Sequence, residues 1–308
     1  FDSWSVRIRE FISGWLFQKK VLRDKVAGIM HVLMFWGFLM LSTDMFDLAT
    51  ANAFSEKVLP EILVGPWNGM VELGYFMALI GCVSALTRRV VFTPEKLKGK
   101  SQLEGNAILL LIFTITTTSF MVESAESPSA FWEPIGYWFS ERGLSEQTVI
   151  LSYWAHMLAI SVFLFLIPLS KHMHLVMAVP NVFFHDAGPM ARMRPLALGD
   201  DGKAVPLEDL DIDSFGVSTY NQYSWRQLID GWSCTSCARC QDVCPAYASG
   251  KGLNPMQVIH DVRNYANEHA PILLSGNQPE ETILERITEE AVWACTTCNA
   301  CVDVCPLY

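Results

Sequence analysis

Outside two short motifs, this 308-residue chain has one cysteine, Cys82, set in an apolar run and read as a small buried hydrophobe. A lone thiol leaves no disulfide pair outside the motifs. Basic charge is scarce in the second part: from Pro195 onward there are 6 Lys and Arg against 16 Asp and Glu, while residues 1–194 hold 16 of each sign. With no basic stripe interleaved with aromatics, the composition argues against a nucleic-acid partner. The acidic half can steer a basic partner or be a solvated surface. Charged residues make up 18% of the chain and hydrophobic ones 51%, a balance that points away from an ordinary soluble domain and toward a membrane protein. The chain opens at Phe1 and closes three residues after its last motif cysteine, and is read as truncated at both ends.

The other eight cysteines stand in one pattern that occurs twice. Cys234, Cys237, Cys240 and Cys244-Pro245 repeat as Cys295, Cys298, Cys301 and Cys305-Pro306, both C-x2-C-x2-C-x3-C-P. This is the spacing of a ferredoxin that carries two [4Fe–4S] clusters, in which the fourth cysteine of each run serves the other cluster. The expected ligand sets are therefore Cys234, Cys237, Cys240 and Cys305 for one cluster, and Cys295, Cys298, Cys301 and Cys244 for the other. Two intact copies make a zinc site or a disulfide framework a poor competitor. Thiolates committed to iron also place this part of the chain in a reducing compartment.

Four apolar runs precede the motifs, at about Val26–Ser42, Met70–Thr87, Asn106–Val122 and Thr148–Ser170. Each is long enough to cross a ~30 Å hydrocarbon core as a helix. Lys19, Lys20, Arg23 and Lys25, then Arg88, Arg89, Lys96, Lys98 and Lys100, then Lys171, Arg192 and Arg194 lie on one side of these runs. The other side carries Asp44, Asp47, Glu56 and Glu61, then Glu126, Glu133, Glu141 and Glu146. The positive-inside rule turns the basic loops, both ends and the motif region to the cytoplasm. Residues 1–25 read as an amphipathic interfacial helix, with Phe1, Trp4, Ile8, Phe11, Ile12 and Trp15 on one stripe and Arg7, Arg9 and Glu10 off it on the polar face; a helix packed on a partner shows the same pattern. The expected organisation is 1–25 interfacial, 26–194 transmembrane, 195–232 linker and 233–308 dicluster domain. Pro255–Asn267 and Glu280–Trp293 between the motifs read as helices, which makes that last domain mainly helical.

Histidines near the spans are functional candidates, because an intramembrane histidine is costly. His31 lies toward the cytoplasmic end of the first span, His156 in the outer part of the fourth, and His174 just past its cytoplasmic end. Drawn as one helix, His156 and His174 are five whole turns apart on a shared face, ~27 Å along the axis. His31 and His174 share a depth and suit the axial ligation of one b-type haem; a headgroup-facing histidine beside Lys171 is the plain alternative. His156 has no histidine opposite it near Leu41, and is read as the site of a quinone or of a second haem whose partner is not in this chain. His172 is expected to meet headgroups, the dicluster domain or a propionate, and His185, His260 and His269 to be structural. Glu72 and Glu123, at outer span ends, are candidate proton relays or solvated helix ends.

The run Val21-Leu-Arg-Asp-Lys-Val-Ala-Gly-Ile-Met-His31 with Phe35-Trp-Gly-Phe38, the run Ser170-Lys-His-Met-His174, and Trp225–Tyr247 with Gly250-Lys251 resemble membrane-bound iron–sulfur oxidoreductases related to heterodisulfide reductase. The likeness is greatest to the electron-transfer flavoprotein:menaquinone oxidoreductases. The membrane part is also similar to the cytochrome b subunit of respiratory nitrate reductase. That resemblance implies His31 and His174 as ligands of the haem nearer the cytoplasm and His156 as one ligand of the other, with Leu41 where its partner would stand. The resemblance to the iron–sulfur oxidoreductases implies an apolar helix before Phe1 and cysteine-rich domains after Tyr308.

The expected fold is an all-α membrane protein, a four-helix cytochrome b bundle followed by a mainly helical two-[4Fe–4S] ferredoxin-like domain. The expected function is respiratory electron transfer in the cytoplasmic membrane of a prokaryote. It joins a cytoplasmic donor, reduced electron-transfer flavoprotein or another redox subunit, to menaquinone. Two alternatives are a heterodisulfide-reductase-like, sulfite-pathway or hydrogenase-linked subunit, and a non-catalytic membrane anchor that carries clusters.

Overall fold

The structure, a computed structural model, describes residues 4–54, 60–92, 100–126, 128–185, 205–209, 217 and 219–308. Among them there is helix and no strand. The expected linker at 195–232 falls largely outside them up to residue 218. The chain divides into two compact units, Val21–Ser170 and a second one made of Phe1–Lys20 with Lys171–Tyr308.

The Val21–Ser170 unit holds helices α2 (Lys25–Phe54), α3 (Glu61–Val90), α4 (Lys100–Glu123), α5 (Pro134–Glu141) and α6 (Glu146–Leu166). Four of them, α2, α3, α4 and α6, are long and apolar enough to cross a membrane. They pack in chain order, α2 on α3, α3 on α4 and α4 on α6.

Small residues set the first seam. A Cβ on Gly74 would stand 2.7 Å from the Cβ of Met40, and one on Gly37 would stand 2.7 Å from the carbonyl oxygen of Gly74. Gly81 lies equally close to Met30 and Met34. Apolar packing between helices gains nothing from water exclusion in lipid, so close backbone approach is what holds α2 to α3. The α3–α4 seam is closed by the Cys82 thiol donating to the Leu109 carbonyl at 2.9 Å and by an edge contact of Tyr75 on Phe120.

Glu72 is 4% exposed. Its Oε1 accepts from the backbone N–H groups of Ile135 and Gly136, both at 2.7 Å. The carboxylate of α3 thus satisfies two orphan donors at the start of α5. The reading of Glu72 as a solvated helix end is corrected: its carboxylate is buried and partners a helix start.

The fourth apolar run does not continue as one helix. Helix α6 ends at Leu166, a turn follows through Pro168, and a 3-10 turn at Lys171–Met173 leads into α7 (His174–Phe183). Pro168 lacks the N–H that would continue the ladder, so the helix stops there although Ile167 before it keeps helical dihedrals (φ −51°, ψ −57°). The expected single helix through His156 and His174 is corrected here: they stand on different helices and in different units.

In the other unit, α1 (Trp4–Phe11) turns through a π-helical segment at Ile12–Leu16. Of the expected stripe, Trp4, Ile8 and Ile12 are exposed, while Phe11 stacks on Trp15 and packs edge-on against Phe183. Arg7 breaks the expected polar face, because it is buried and its Nη1 donates to the carbonyls of Phe183 and His185 at 2.6 and 3.1 Å. Those are free carbonyls at and beyond the end of α7, where a cation is stabilising.

Helix α7 pairs with α8 (Trp225–Ser233), whose start is a capping box of Ser224 and Gln227. Ser233 donates to Met177 O at 3.1 Å, and Arg226 links Asn181 to Asp230. Beyond α8 come short helices α9 (Arg239–Asp242) and α10 (Pro245–Ala248), the longer α11 (Pro255–Glu268), then α12 (Ala270–Leu274), α13 (Ile283–Ile287), α14 (Glu289–Trp293) and α15 (Ala300–Val304). Their core is modest: Cys244, Ala246, Leu253 and Ala291 form one cluster, and Val262, Tyr265 and Ile283 another. The helix expected over 280–293 is split at Thr288, whose φ of 69° ends α13 while its side chain caps α14.

Candidate iron–sulfur site

The sequence repeat is also a repeat of backbone shape. Ser236 and Ala238 in the first motif, and Thr297 and Asn299 at the equivalent places in the second, all have φ between 52° and 61°. Left-handed dihedrals in non-glycine residues cost energy, and four at matched positions mark a loop shaped for something it encloses. Such turns aim successive N–H groups inward. Thr297 N–H donates to Cys295 Sγ at 3.4 Å, and the Ser236 backbone makes the same bond to Cys234. After each loop a short helix, α9 or α15, carries the third cysteine. The fourth, Cys244 or Cys305, is extended (ψ 118° and 124°), as a residue before proline must be.

All eight motif cysteines line one cavity of about 350 Å3. Within it the thiols of Cys240 and Cys305 lie in the field of Cys234 and Cys237, so the last cysteine of the second motif sits with the first three of the first motif. Cys301 is likewise in the field of Cys295 and Cys298. Cys295 and Cys298 are exposed, and the other six are buried or half-buried.

Burial pushes the Cys240 thiol up to about 12 and the Cys305 thiol to about 11, with neighbouring thiols adding to both. Cys298 moves the other way, because the Ala300 N–H and the Thr296 side chain favour its thiolate. Sulfurs so placed need a cationic core to be held as thiolates. Among the described residues no three His, Cys, Asp or Glu close on a point as ligands of one metal ion. Eight thiols around a cavity of this size fit a larger inorganic group.

Two polar side chains that sequence reasoning passed over border the cysteines. Lys20, read there as a loop charge, is 5% exposed, with its Nζ 3.4 Å above the Tyr308 ring, and its charge favours the Cys305 thiolate. His260, read there as structural, places Nε2 3.6 Å from Cys234 Sγ and 3.1 Å from Ser236 Oγ. Burial lowers His260 to about 4, so it is neutral at neutral pH. No local signal joins either residue to a cysteine: 26 positions separate His260 from Cys234, and Lys20 is over 200 from the motifs.

The histidine candidates are held differently. His156, on α6, has Nδ1 3.1 Å from Ile115 O, 3.1 Å from Thr118 Oγ1 and 3.4 Å from Ser119 Oγ. His174 has Nδ1 2.8 Å from Lys171 O, and burial lowers its pKa. In both, a carbonyl acceptor selects the Nδ1–H tautomer and leaves Nε2 as the basic nitrogen, the arrangement used by metal-ligating histidines. His31 lies half-buried on α2 in the other unit from His174. His185 and His269 are absorbed in structural pairs with Glu10 and Glu281.

Comparison with known proteins agrees with the cysteine geometry. Residues 226–306 match the model of the 4Fe-4S dicluster domain. The chain is 28% identical over 94% of its length to EtfAB:quinone oxidoreductase of Syntrophomonas wolfei subsp. wolfei, covering 45% of that protein. It is 28% identical over 94% of its length to the iron-sulfur-binding oxidoreductase FadF of Bacillus subtilis, covering 46% of it. Over 35% of its length it is 32% identical to a membrane-anchored ferredoxin of Chromohalobacter salexigens, covering 19% of it. No solved structure matches.

Fold and comparisons together define a helical membrane protein with a C-terminal 4Fe–4S dicluster domain. It is related to the iron–sulfur oxidoreductases represented by EtfAB:quinone oxidoreductase and FadF, and spans about half the length of those relatives.

Proposed function

We propose that this chain conducts electrons between a cytoplasmic donor and menaquinone in a prokaryotic cytoplasmic membrane. The observation that carries the reading is the ring of eight cysteines, on two loops of matched backbone, in a chain with four membrane-length helices. Cys234, Cys237, Cys240 and Cys305 hold one [4Fe–4S] cluster, and Cys295, Cys298, Cys301 and Cys244 the other. When bound, these clusters supply one-electron transfer. The protein supplies placement: left-handed loop residues turn N–H donors to the sulfurs, the prolines turn the fourth cysteines across, and burial excludes water from the inner set. The exposed thiols of Cys295 and Cys298 put that set at the surface, where a soluble donor can approach.

Reduced electron-transfer flavoprotein is the donor this reading favours, supported by the name of the Syntrophomonas relative. His31 and His174 are the axial ligands proposed for a haem b, supported for His174 by its carbonyl-held Nδ1. His156 is assigned to the quinone and not to a second haem. Its Nδ1 is held by α4, which leaves Nε2 for the quinone, and Leu41, where the nitrate reductase likeness would place the other haem ligand, has no ligating side chain and packs on α3 with its backbone nitrogen 3.5 Å from the Cβ position of Gly74. The basic loops face the cytoplasm together with the dicluster domain.

A second reading, a membrane anchor that carries clusters and no quinone site, is favoured by the likeness to a membrane-anchored ferredoxin. The purified chain, reduced by dithionite, separates the two when offered a soluble menaquinone analogue under anaerobic conditions. Stoichiometric quinol formation that His156→Ala abolishes supports the quinone reading; clusters that stay reduced in its presence leave the anchor.

A further inference from the structure

The segment between the two motifs builds a feature that holding the clusters does not use. Thr288, a β-branched residue, has φ 69° and ψ 138°, a conformation such residues adopt only at a cost. It ends α13, and its side chain caps α14 by accepting from the Ala291 N–H at 3.3 Å. The corner turns both helices onto one groove of about 390 Å3, lined by Thr282, by Leu284 and Glu285 of α13, and by Glu289, Val292 and Trp293 of α14.

This groove is apolar at its centre and acidic at its rim. Trp293 is 80% exposed, and Leu284 and Val292 are exposed beside it. The indole is held in place, since its Nε1–H donates to Glu289 Oε1 at 3.2 Å. The Glu285 carboxylate accepts from the Thr282 N–H at 2.9 Å. Among the described residues neither carboxylate has an ion-pair partner, because Arg286, next to Glu285, is held by Glu268 and Glu281. A fixed, exposed tryptophan is the kind of side chain that dominates interface energies. Its carboxylate rim repels anionic lipid headgroups and suits a basic protein.

The position of the groove in the chain indicates what such a protein brings. Trp293 stands two residues before Cys295, whose N–H donates to the Val292 carbonyl at 3.1 Å. Cys295 and Cys298 are exposed, so a protein seated on α14 lies beside the solvent-facing cysteines. A small groove is in keeping with redox encounters, whose interfaces are among the smallest.

We propose that this groove is the docking site of the soluble electron donor, a protein with basic side chains around an apolar spot next to its redox centre. The inference rests on the proposed function, in which Cys295, Cys298, Cys301 and Cys244 hold the outer cluster. On docking, the reduced donor loses one electron and the oxidised outer cluster gains it, with no bond made or broken. Trp293 and Val292 supply the apolar contact, and Glu285 and Glu289 steer the approach.

The test is anaerobic stopped-flow reduction of the full chain, both clusters loaded, by reduced electron-transfer flavoprotein, followed by cluster absorbance over a range of salt. The parent's rate constant should fall as salt rises. Trp293→Ala should lower it about tenfold, as loss of an interface hot spot does. Glu285→Gln combined with Glu289→Gln keeps both hydrogen-bond acceptors and removes both charges. It should slow the reaction at low salt and meet the parent at high salt. Iron analysis shows whether each variant keeps its clusters, and if Trp293→Ala loses them the glutamine pair decides alone. Variants that match the parent at every salt concentration, or a parent rate that rises with salt, overturn the docking site. A second copy of the chain on the groove overturns it too, seen as a dimer that Trp293→Ala dissociates without changing the rate. A parent that dithionite reduces and the flavoprotein does not overturns the donor reading itself, and the docking site with it.

Discussion

At the scale of residues, the cysteines make the sharpest claims. Cys237→Ser and Cys298→Ser should each lower iron from about eight to about four atoms per chain, because the two residues belong to different cubanes; iron and acid-labile sulfide analysis checks this. Iron loading should also depend on pH in a set direction. The Cys240 and Cys305 thiols are pushed up to about 12 and about 11 by burial, so near neutrality each enters the cluster by releasing a whole proton. Chelator competition on the reduced apoprotein should therefore show affinity falling about tenfold per pH unit of acidification for each such thiol. An affinity flat between pH 7 and 9 would contradict the burial. His174→Ala should remove the b-type absorbance, while His156→Ala should keep it and lose quinone reduction; absorbance spectra and turnover separate the two.

Helices show where a linear reading carries and where it stops. The four apolar runs became α2, α3, α4 and α6, because run length and hydropathy are local properties. The shared loop shape was implicit in the repeated C-x2-C-x2-C-x3-C-P spacing. The α6–α7 break is hidden in the sequence because apolar residues continue through Ile167 and Leu169 on either side of the lone Pro168. Arg7 was placed on a polar face, but it turned inward because the end of α7 offers carbonyls only tertiary packing can bring near. Lys20 and His260 were illegible for the same reason. The α2–α3 seam gives a prediction at this scale. Gly74→Leu would drive side-chain atoms into Met40 Cβ, already 2.7 Å from a Cβ at that site, and should cost about 1–3 kcal/mol as overpacking does, read as a lower unfolding midpoint in detergent.

At the scale of the whole molecule, a helical part with four membrane-length helices and a dicluster part share one chain, and the proposed cytoplasmic orientation of the dicluster part can be tested directly. Exposed Lys251, between the motifs, should be cleaved by trypsin in inside-out vesicles and protected in right-side-out ones; the reverse pattern would invert the topology. Beneath orientation, donor and quinone lies the claim that this chain is a conductor built from two clusters and a haem. Metal and haem analysis of the anaerobically purified protein, joined to a redox-poised EPR titration, tests it most directly. The account predicts about eight irons with matching sulfide, two one-electron cluster signals and one low-spin b haem per chain. Zinc in place of iron, or a single cluster, would contradict the cysteine assignment, and a protein with both clusters and no haem would contradict the conductor and leave a membrane-tethered ferredoxin.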